Sequence, residues 1–557
     1  MLKKIRFALT RNLTMANLQD RLDEIYDPHK DMIFLEEPLR YQALSGSVIT
    51  GRMGLEFINR VCHSLVGPLG IKPGQTVAVC TSNNVDLYMI ITAIMRIGAI
   101  AVPLNYMLKG REIRYIVENS GARTMITDAY VFDGNIREKG RVPSISQWIM
   151  AGPETENREG FISLDRLTRE SSPEWKPINL DPDQPVAIFY TSGTTGFPKG
   201  SMTTSRNILT TQKIAAVFIP AGGRDFGIMS LPLAHIMGFA VATIGVVSGI
   251  PGYFMRFFNP QRVLEAIEKY KATHFVGVPA MYAMLLQYEP EKRNLSSMKF
   301  WSSSADAMPL EHIQIFRNFG SFLKLGPLKT RAVFAEAYGM VELNGTCALK
   351  IAFPGINYPR GAVGFPVRPT KIRIVDENGK GVPKGEVGEL AVKGPGVTPG
   401  YWNNPEATRE CLTPEGFFRT GDMARRGRFG MLYFVDRKKD VIKSGGYSIF
   451  SVEVEEEILR NPKVAEVAVI GVPHPTKKEM PIAIISLKPD AEATPEELIA
   501  WGKEHLAAYR APREVKIIPA ADMPYGMTLK VLKKDLKARY VSEYEKRSPE
   551  DWKKKGD

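Results

Sequence analysis

At 557 residues the chain exceeds what one hydrophobic core accommodates, so two or more domains are expected. Hydrophobic residues at 44% and charged residues at 24% are ordinary globular values and exclude a disordered or fibrous class. The net charge of +13 would suit nucleic acid or an anionic membrane, but no RNP, helix-turn-helix or zinc-finger pattern accompanies it. A basic enzyme that handles anionic substrates is the better reading, and no nucleic-acid partner is expected.

Residues 1–10 are basic but lack an apolar h-region and a small-residue cleavage site, so no signal peptide is expected. Next in chain order, 77–80 reads as a strand, 85–97 as a helix, and 100–102 and 124–127 as further strands. The apolar stretch 87–104 is interrupted by Arg96 and Gly98 and ended by Pro103, which favours a buried helix followed by a strand over a membrane span. A peripheral membrane contact and a homodimer stay open. Cys62, Cys80, Cys347 and Cys411 stand far apart with no CxxC pair; this argues against a disulfide framework or a zinc site and suits a reducing cytoplasm. Residues 186–190 form another buried strand, running straight into a Gly/Ser/Thr-rich loop. The alternation of β-branched runs with amphipathic helices predicts an α/β architecture with buried sheets.

Beyond Tyr401 the texture changes. Gly416, Gly421, Gly427 and Gly430 punctuate a stretch of turns, followed by Asp436-Arg-Lys-Lys-Asp440 and a Gly-Gly turn. A helix opened by Ser451 as N-cap, with Val454 and Ile458 on one face, precedes strands at 467–470 and 482–486. A Lys- and Glu-rich solvated helix and tail close the chain. This pattern predicts a small α+β domain of about 120 residues, giving domains 1–436 and 437–557.

The strongest chemical signal is Tyr190-Thr-Ser-Gly-Thr-Thr-Gly-Phe-Pro-Lys-Gly200. Such a loop after a strand presents backbone N–H groups, hydroxyls and one ammonium to a polyanion, and its glycines permit close approach to phosphate. It lacks the spacing of a Walker A loop. The loop resembles the signature of the adenylate-forming superfamily, which includes acyl-CoA synthetases, adenylation domains of peptide synthetases and firefly-type luciferases. The resemblance continues in order along nearly the whole chain. Leu231-Pro-Leu-Ala-His-Ile-Met-Gly238 is similar to the segment bearing an aromatic or His near the acyl carboxylate. Ser302-Ser-Ser-Ala-Asp-Ala307 takes the place of the small-residue strand lining adenine, and Tyr338-Gly-Met-Val-Glu342 resembles Tyr-Gly-x-Thr-Glu. Tyr401, Thr420-Gly-Asp422 and Asp436-Arg437 resemble the later ribose-binding segments.

The resemblance implies a large N-terminal α/β domain with stacked sheets flanked by helices, followed by a small mobile α+β lid. ATP and AMP would be bound by Thr191, Ser192, Gly193, Thr194, Thr195, Gly196 and Lys199, with Ser304, Ala305, Asp306, Tyr338, Gly339, Met340, Val341, Asp422, Phe434 and Arg437. Within that set Tyr338 would stack on adenine, Asp422 would accept from the ribose hydroxyls, and Arg437 would support the same sugar. Thr194 and Glu342 would hold Mg²⁺, a task for hard oxygen ligands. His235 would line the acyl and adenylate site, with pocket walls including His235 to Phe239 and residues near Ala335 to Ala337. Lys530, in Pro524-Tyr-Gly-Met-Thr-Leu-Lys530, would bridge the attacking carboxylate and the α-phosphate as pyrophosphate leaves. Lys439 would be the hinge, and Lys443, Gly445 and Gly446 would face the pantetheine of coenzyme A, although a plain turn also explains the two glycines.

Three departures stand out. Val341 replaces a Thr that donates to phosphate, Leu529 replaces the Gly before the catalytic lysine, and His474-Pro-Thr-Lys477 replaces an acidic turn. The expected activity is an ATP-dependent acyl-CoA synthetase forming acyl-AMP and passing the acyl group to coenzyme A, with a medium- or long-chain fatty acid as the first substrate class. Alternatives are an aryl or alicyclic acid as substrate, an acyl-AMP ligase loading a carrier protein, a luciferase-like use of the adenylate, and a catalytically weak nucleotide or acyl sensor.

Overall fold

In the computed structural model the described residues are 7, 10, 12–24, 27, 31–191, 198–218, 225–325, 328–353, 356, 358–359, 361–526, 531–547 and 551. The chain forms two compact units. The larger comprises Met1–Arg360, Gly364–Lys371 and Lys393–Leu412, and the smaller Gly361–Val363, Ile372–Val392 and Thr413–Asp557. Residues 372–392 and 413–436 thus fall in with the C-terminal segment.

Among the described residues the larger unit holds two large sheets and a short two-stranded one. The first runs Ile162–Ser163, Gln147–Ala151, Thr124–Asp128, Thr76–Cys80, Ile100–Pro103, Pro185–Thr191, Lys199–Thr204. It is parallel except for its last pair, which is antiparallel. Strands buried on both faces read as continuous apolar runs, as 77–80 and 186–190 do. The helix Val85–Arg96 is buried at every position except Asp86, so the apolar stretch is a core helix leading to a strand, as expected. Among the described residues no helix is long and apolar enough to cross a membrane.

The second sheet places Gly345–Ala352, Val333–Met340, Phe300–Ser304, His274–Gly277, Gly227–Met229, Gly252–Phe254, Asp31–Arg40 and Ser45–Thr50 side by side. Its centre is parallel and both ends are antiparallel. Trp301, Phe275, Tyr282, Phe316 and Phe334 form its aromatic core.

The smaller unit contains the strands Lys371–Val375, Val387–Lys393, Phe418–Arg426 and Leu432–Arg437, and a separate five-stranded sheet centred on Val464–His474 and Lys478–Leu487. Side chains alternate between the faces of a strand, and the packing follows that period. Val467, Val469, Ala483 and Ile485 pack with Val454, Ile458 and Leu498 of the helices Ser451–Ile458 and Pro495–His505. Ala468, Ile470, Ile482 and Ile484 pack with Leu536 and Tyr544 of the helix Lys533–Glu545. This last helix is therefore anchored in the core and not wholly solvated. Ser451 is also not the N-cap: Phe450 is, and Ser451 is the first helical residue, its N–H and hydroxyl both turned to Asp436.

Arg96, which interrupts the apolar stretch, is fully buried and donates to both oxygens of Asp20 at 2.6 and 2.5 Å and to the Ala16 carbonyl at 2.7 Å. Asp20 itself reaches solvent, but removing it leaves the buried guanidinium uncompensated. Asp20→Ala is expected to destabilise the protein by about 3 kcal/mol, read as a lower urea midpoint, and an unchanged midpoint would contradict this account.

Candidate functional site

The strand Pro185–Thr191 pairs antiparallel with Lys199–Thr204, Thr191 standing opposite Lys199. Ser192, Gly193, Thr194, Thr195 and Gly196 lie outside the described residues. Gly200 has no room for a side chain: a Cβ there would stand 2.7 Å from Ile188 and 2.9 Å from the Tyr190 ring. The segment 398–402 is laced along this strand pair. The Thr398 hydroxyl donates to the Met202 carbonyl (2.7 Å), Met202 N–H to the Gly400 carbonyl (3.1 Å), and Trp402 N–H to the Gly200 carbonyl (2.8 Å).

Tyr338, Gly339 and Met340 end the strand Val333–Met340, and a short 3-10 turn, Val341–Leu343, leads into Gly345–Ala352. Gly339 is required by close approach, since a Cβ would meet the Gly345 carbonyl oxygen at 2.0 Å. Val341 is buried in the core that also holds Phe189, Ile236 and Phe239, so the lost hydroxyl is replaced by apolar packing. Glu342 is only 5% exposed, and its Oε1 accepts from the Tyr401 hydroxyl at 2.8 Å. Burial, then the neighbouring carboxylate, raises the Tyr401 phenol pKa, so it keeps the proton it donates. The Lys199 ammonium lies 5.2 Å from the centre of the Tyr401 ring, within cation–π range. Sequence reading groups Tyr401 with ribose-binding segments; in the fold its hydroxyl serves Glu342.

Beside this, Ser304 donates to the Ala337 carbonyl (2.8 Å), Ala305 adopts a left-handed φ of 75°, and the Asp306 carboxylate accepts from Ala307 N–H (2.9 Å). The same small-residue loop is held at its far end by Glu336, which accepts from Met308 N–H (3.3 Å) and pairs with Lys350 directly opposite in register at 2.5 Å. Both side chains of this pair are nearly buried. Strand register brings them together, and register is not visible in a linear reading.

His235 caps the helix Ile236–Ser248, its Nδ1 accepting from Met237 N–H at 3.2 Å, which leaves the proton of the neutral ring on Nε2. The loop before it is pinned by buried Asn83, which accepts from Leu233 N–H (2.8 Å) and donates to the Leu231 carbonyl (3.3 Å). Gly238 is again forced: a Cβ would stand 2.0 Å from the Pro232 oxygen. Met237, Val241, Val276, Phe258 and Ala305 gather half-buried around Leu231, Val278 and Met281, forming an apolar cluster next to His235. Phe239 does not join that wall; it is fully buried against Tyr88 and Phe189.

In the smaller unit Asp422 and Arg437 face each other on paired strands, with Arg437 Nε 3.2 Å from Asp422 Oδ1. Asp422 is 5% exposed, and its N–H donates to the Thr420 hydroxyl, which donates in turn to the Leu390 carbonyl. Phe434 pairs with Ala424 on the same ribbon. The carbonyl of Lys439 accepts from the Lys537 ammonium at 3.1 Å. Lys443 donates to the Ser448 hydroxyl at 2.7 Å, and Gly445 and Gly446, with φ of 55° and 85°, make the two-residue hairpin turn after it. Positive φ at both positions favours glycine there, and no side chain crowds Gly446. His474 substitutes for an acidic turn residue by accepting from Thr476 and Lys477 N–H through Nδ1, both at 3.2 Å. Lys530 lies outside the described residues. Three residues on, buried Lys533 donates to Ser451 (2.7 Å) and pairs with Glu455 (2.6 Å), whose pKa burial raises to about 7.

A hard carboxylate oxygen that is buried and held by a phenol suits a Mg²⁺ ion, which keeps most of its shell as water and phosphate oxygen. Among the described residues no cluster of three or more His, Cys, Asp or Glu side chains forms a dedicated metal cage.

Comparison with known proteins agrees with this geometry. Residues 37–402 match the AMP-binding enzyme family, and residues 453–524 match the AMP-binding enzyme C-terminal domain. The chain belongs to this family, the adenylate-forming enzymes. It is similar to a long-chain-fatty-acid–CoA ligase of Bacillus subtilis, 30% identical over 495 residues covering 84% of this chain and 86% of that protein. It is also 30% identical over 471 residues to a 2-succinylbenzoate–CoA ligase of Geobacillus kaustophilus, covering 84% and 88%. The crystal structure of ATP-bound MatB from Rhodopseudomonas palustris superposes with a TM-score of 0.83 at 27% identity, covering 96% of this chain and all of that one.

Burial lowers the His235 pKa from 6.5 to about 4. The unfolded chain takes up a proton that the fold refuses, so this group makes stability fall as pH drops from 6.5 toward 4 and rise with pH across that window. His235→Asn should flatten that part of the profile, and an imidazole NMR signal titrating near 6.5 in the native protein would contradict it.

Proposed function

We propose that this protein is an AMP-forming acid–CoA ligase acting on an apolar carboxylic acid, a medium- or long-chain fatty acid first and an aryl acid second. The observation that carries the reading is the junction of Lys199, Tyr401 and Glu342: a cation at the base of a phosphate-type loop and a buried carboxylate share one aromatic side chain. In the first half-reaction a carboxylate oxygen attacks the α-phosphorus of ATP, the bond to the bridging oxygen breaks, and pyrophosphate leaves. In the second, the CoA sulfur attacks the acyl carbonyl, its proton goes to solvent, and AMP departs.

Thr191, Ser192, Gly193, Thr194, Thr195, Gly196 and Lys199 cradle the phosphates. Tyr338, Gly339, Met340, Val341, Ser304, Ala305 and Asp306 line the base, while Asp422, Arg437 and Phe434 serve the ribose. Glu342 and Thr194 would hold Mg²⁺, which when bound would neutralise charge on the phosphates. His235, neutral at working pH, offers its Nε2–H to the acyl carboxylate without adding a charge. Residues 437–557 act as a lid turning about Lys439, bringing Lys530 to the α-phosphate for the first step and Lys443, Gly445 and Gly446 to CoA for the second. The apolar cluster around Met237 and Val241 supports an apolar acyl group, and four widely spaced cysteines that form no disulfide fit a reducing, cytoplasmic setting.

Pyrophosphate release from Mg·ATP and CoA across a panel of carboxylic acids tests this reading. Acid-dependent release with acyl-CoA and AMP as products is expected, and Lys530→Ala should lose adenylation by about 10²–10³-fold. Release that stops at one bound acyl-AMP despite CoA would point to a carrier-protein acceptor, and no release with any acid would overturn the assignment.

A further inference from the structure

We propose that Tyr401 is a positioning residue for Mg·ATP, holding the Glu342 carboxylate in its metal-facing orientation and spacing it from Lys199; this rests on the reading of Glu342 as a metal carboxylate. Three observations meet in this side chain. The phenol donates to Glu342 Oε1 at 2.8 Å, and both groups are under a tenth exposed, so water cannot readily substitute for the bond. The ring face carries the Lys199 ammonium at 5.2 Å. The backbone around Tyr401 is tied to both charged segments, Thr398 N–H donating to the Glu342 carbonyl (2.7 Å) and Trp402 N–H to the Gly200 carbonyl (2.8 Å), while Tyr401 N–H donates to the Thr408 hydroxyl (2.9 Å). Tyr401 therefore cannot follow one charge without the other. Its hydroxyl occupies one carboxylate oxygen and restrains the acid from rotating onto the neighbouring ammonium, where an ion pair would compete with the metal.

Tyr401→Phe keeps the ring and removes only the hydroxyl. Calorimetry should show the ratio of ATP Kd without Mg²⁺ to that with Mg²⁺ falling by about tenfold or more, with the Mg²⁺ concentration for half-maximal pyrophosphate release rising in step. A structural role alone would lower the thermal midpoint and weaken ATP binding equally with and without Mg²⁺, which would overturn the proposal. Tyr401→His retains a ring N–H donor and should recover part of the ratio; it also serves if the Phe variant does not fold. Glu342→Gln, measured alongside, separates the two claims. If it lowers the ratio and Tyr401→Phe does not, the positioning role is overturned while the function stands. If neither moves the ratio, Glu342 is not the metal carboxylate and the proposal falls with that reading.

Discussion

Glu342 carries a carboxylate withdrawn from water, and much of the larger unit's design around the site serves to make that position stable. An isolated buried charge is strongly unfavourable unless hydrogen-bonded. Here the bond comes from a phenol delivered by a segment some sixty residues further along the chain. Delivering it requires that 398–402 lie along the paired strands Pro185–Thr191 and Lys199–Thr204, and its hydrogen bonds to Gly200, Met202 and Glu342 do this. Gly339 and Gly200 then follow as necessities, because each sits where another strand leaves no space for a Cβ. The motif residues are a set of mutually dependent packing decisions around one charge.

The smaller unit repeats the theme with a different chemistry. Its sheet buries both faces in aliphatic side chains, yet Asp436, Ser451, Glu455 and Lys533 form a polar spine through it. The carboxyl groups of Asp436 and Glu455 are raised chiefly by burial, while Lys533 stays protonated because both acids face it. This network joins the residue just before Arg437 to the helix that follows position 530. Lys439, whose carbonyl is held by Lys537, lies at the edge of the same network. Lys439, proposed as the hinge, is thus fastened to the helix Lys533–Glu545.

Much of the fold was legible because its signals are local. The buried runs at 77–80, 100–102, 124–127 and 186–190 are strands within a residue or two of their expected ends, and 85–96 is a helix. The Gly-Gly turn at 445–446 announced itself through the one residue type that tolerates positive φ twice in succession. What the linear reading missed depends on register or on distant partners. Glu336 and Lys350 meet because two strands pair with that offset. Tyr401 acquires its role only when 398–402 is laid beside that strand pair. Ser451 has the right type for an N-cap, but Asp436 claims its hydroxyl and shifts the helix start by one residue. Phe239, four residues past His235, turns into the core because the helix period carries it there.

The central claim is that the acid is activated by bonding its own oxygen to the α-phosphorus of ATP. Transfer of an isotopic label tests this most directly. With an acid doubly labelled with ¹⁸O in its carboxylate, mass spectrometry of the products should find one ¹⁸O in AMP and none in pyrophosphate. Label appearing in inorganic phosphate, or AMP without label, would mean that the acid is activated by another route and would contradict the account.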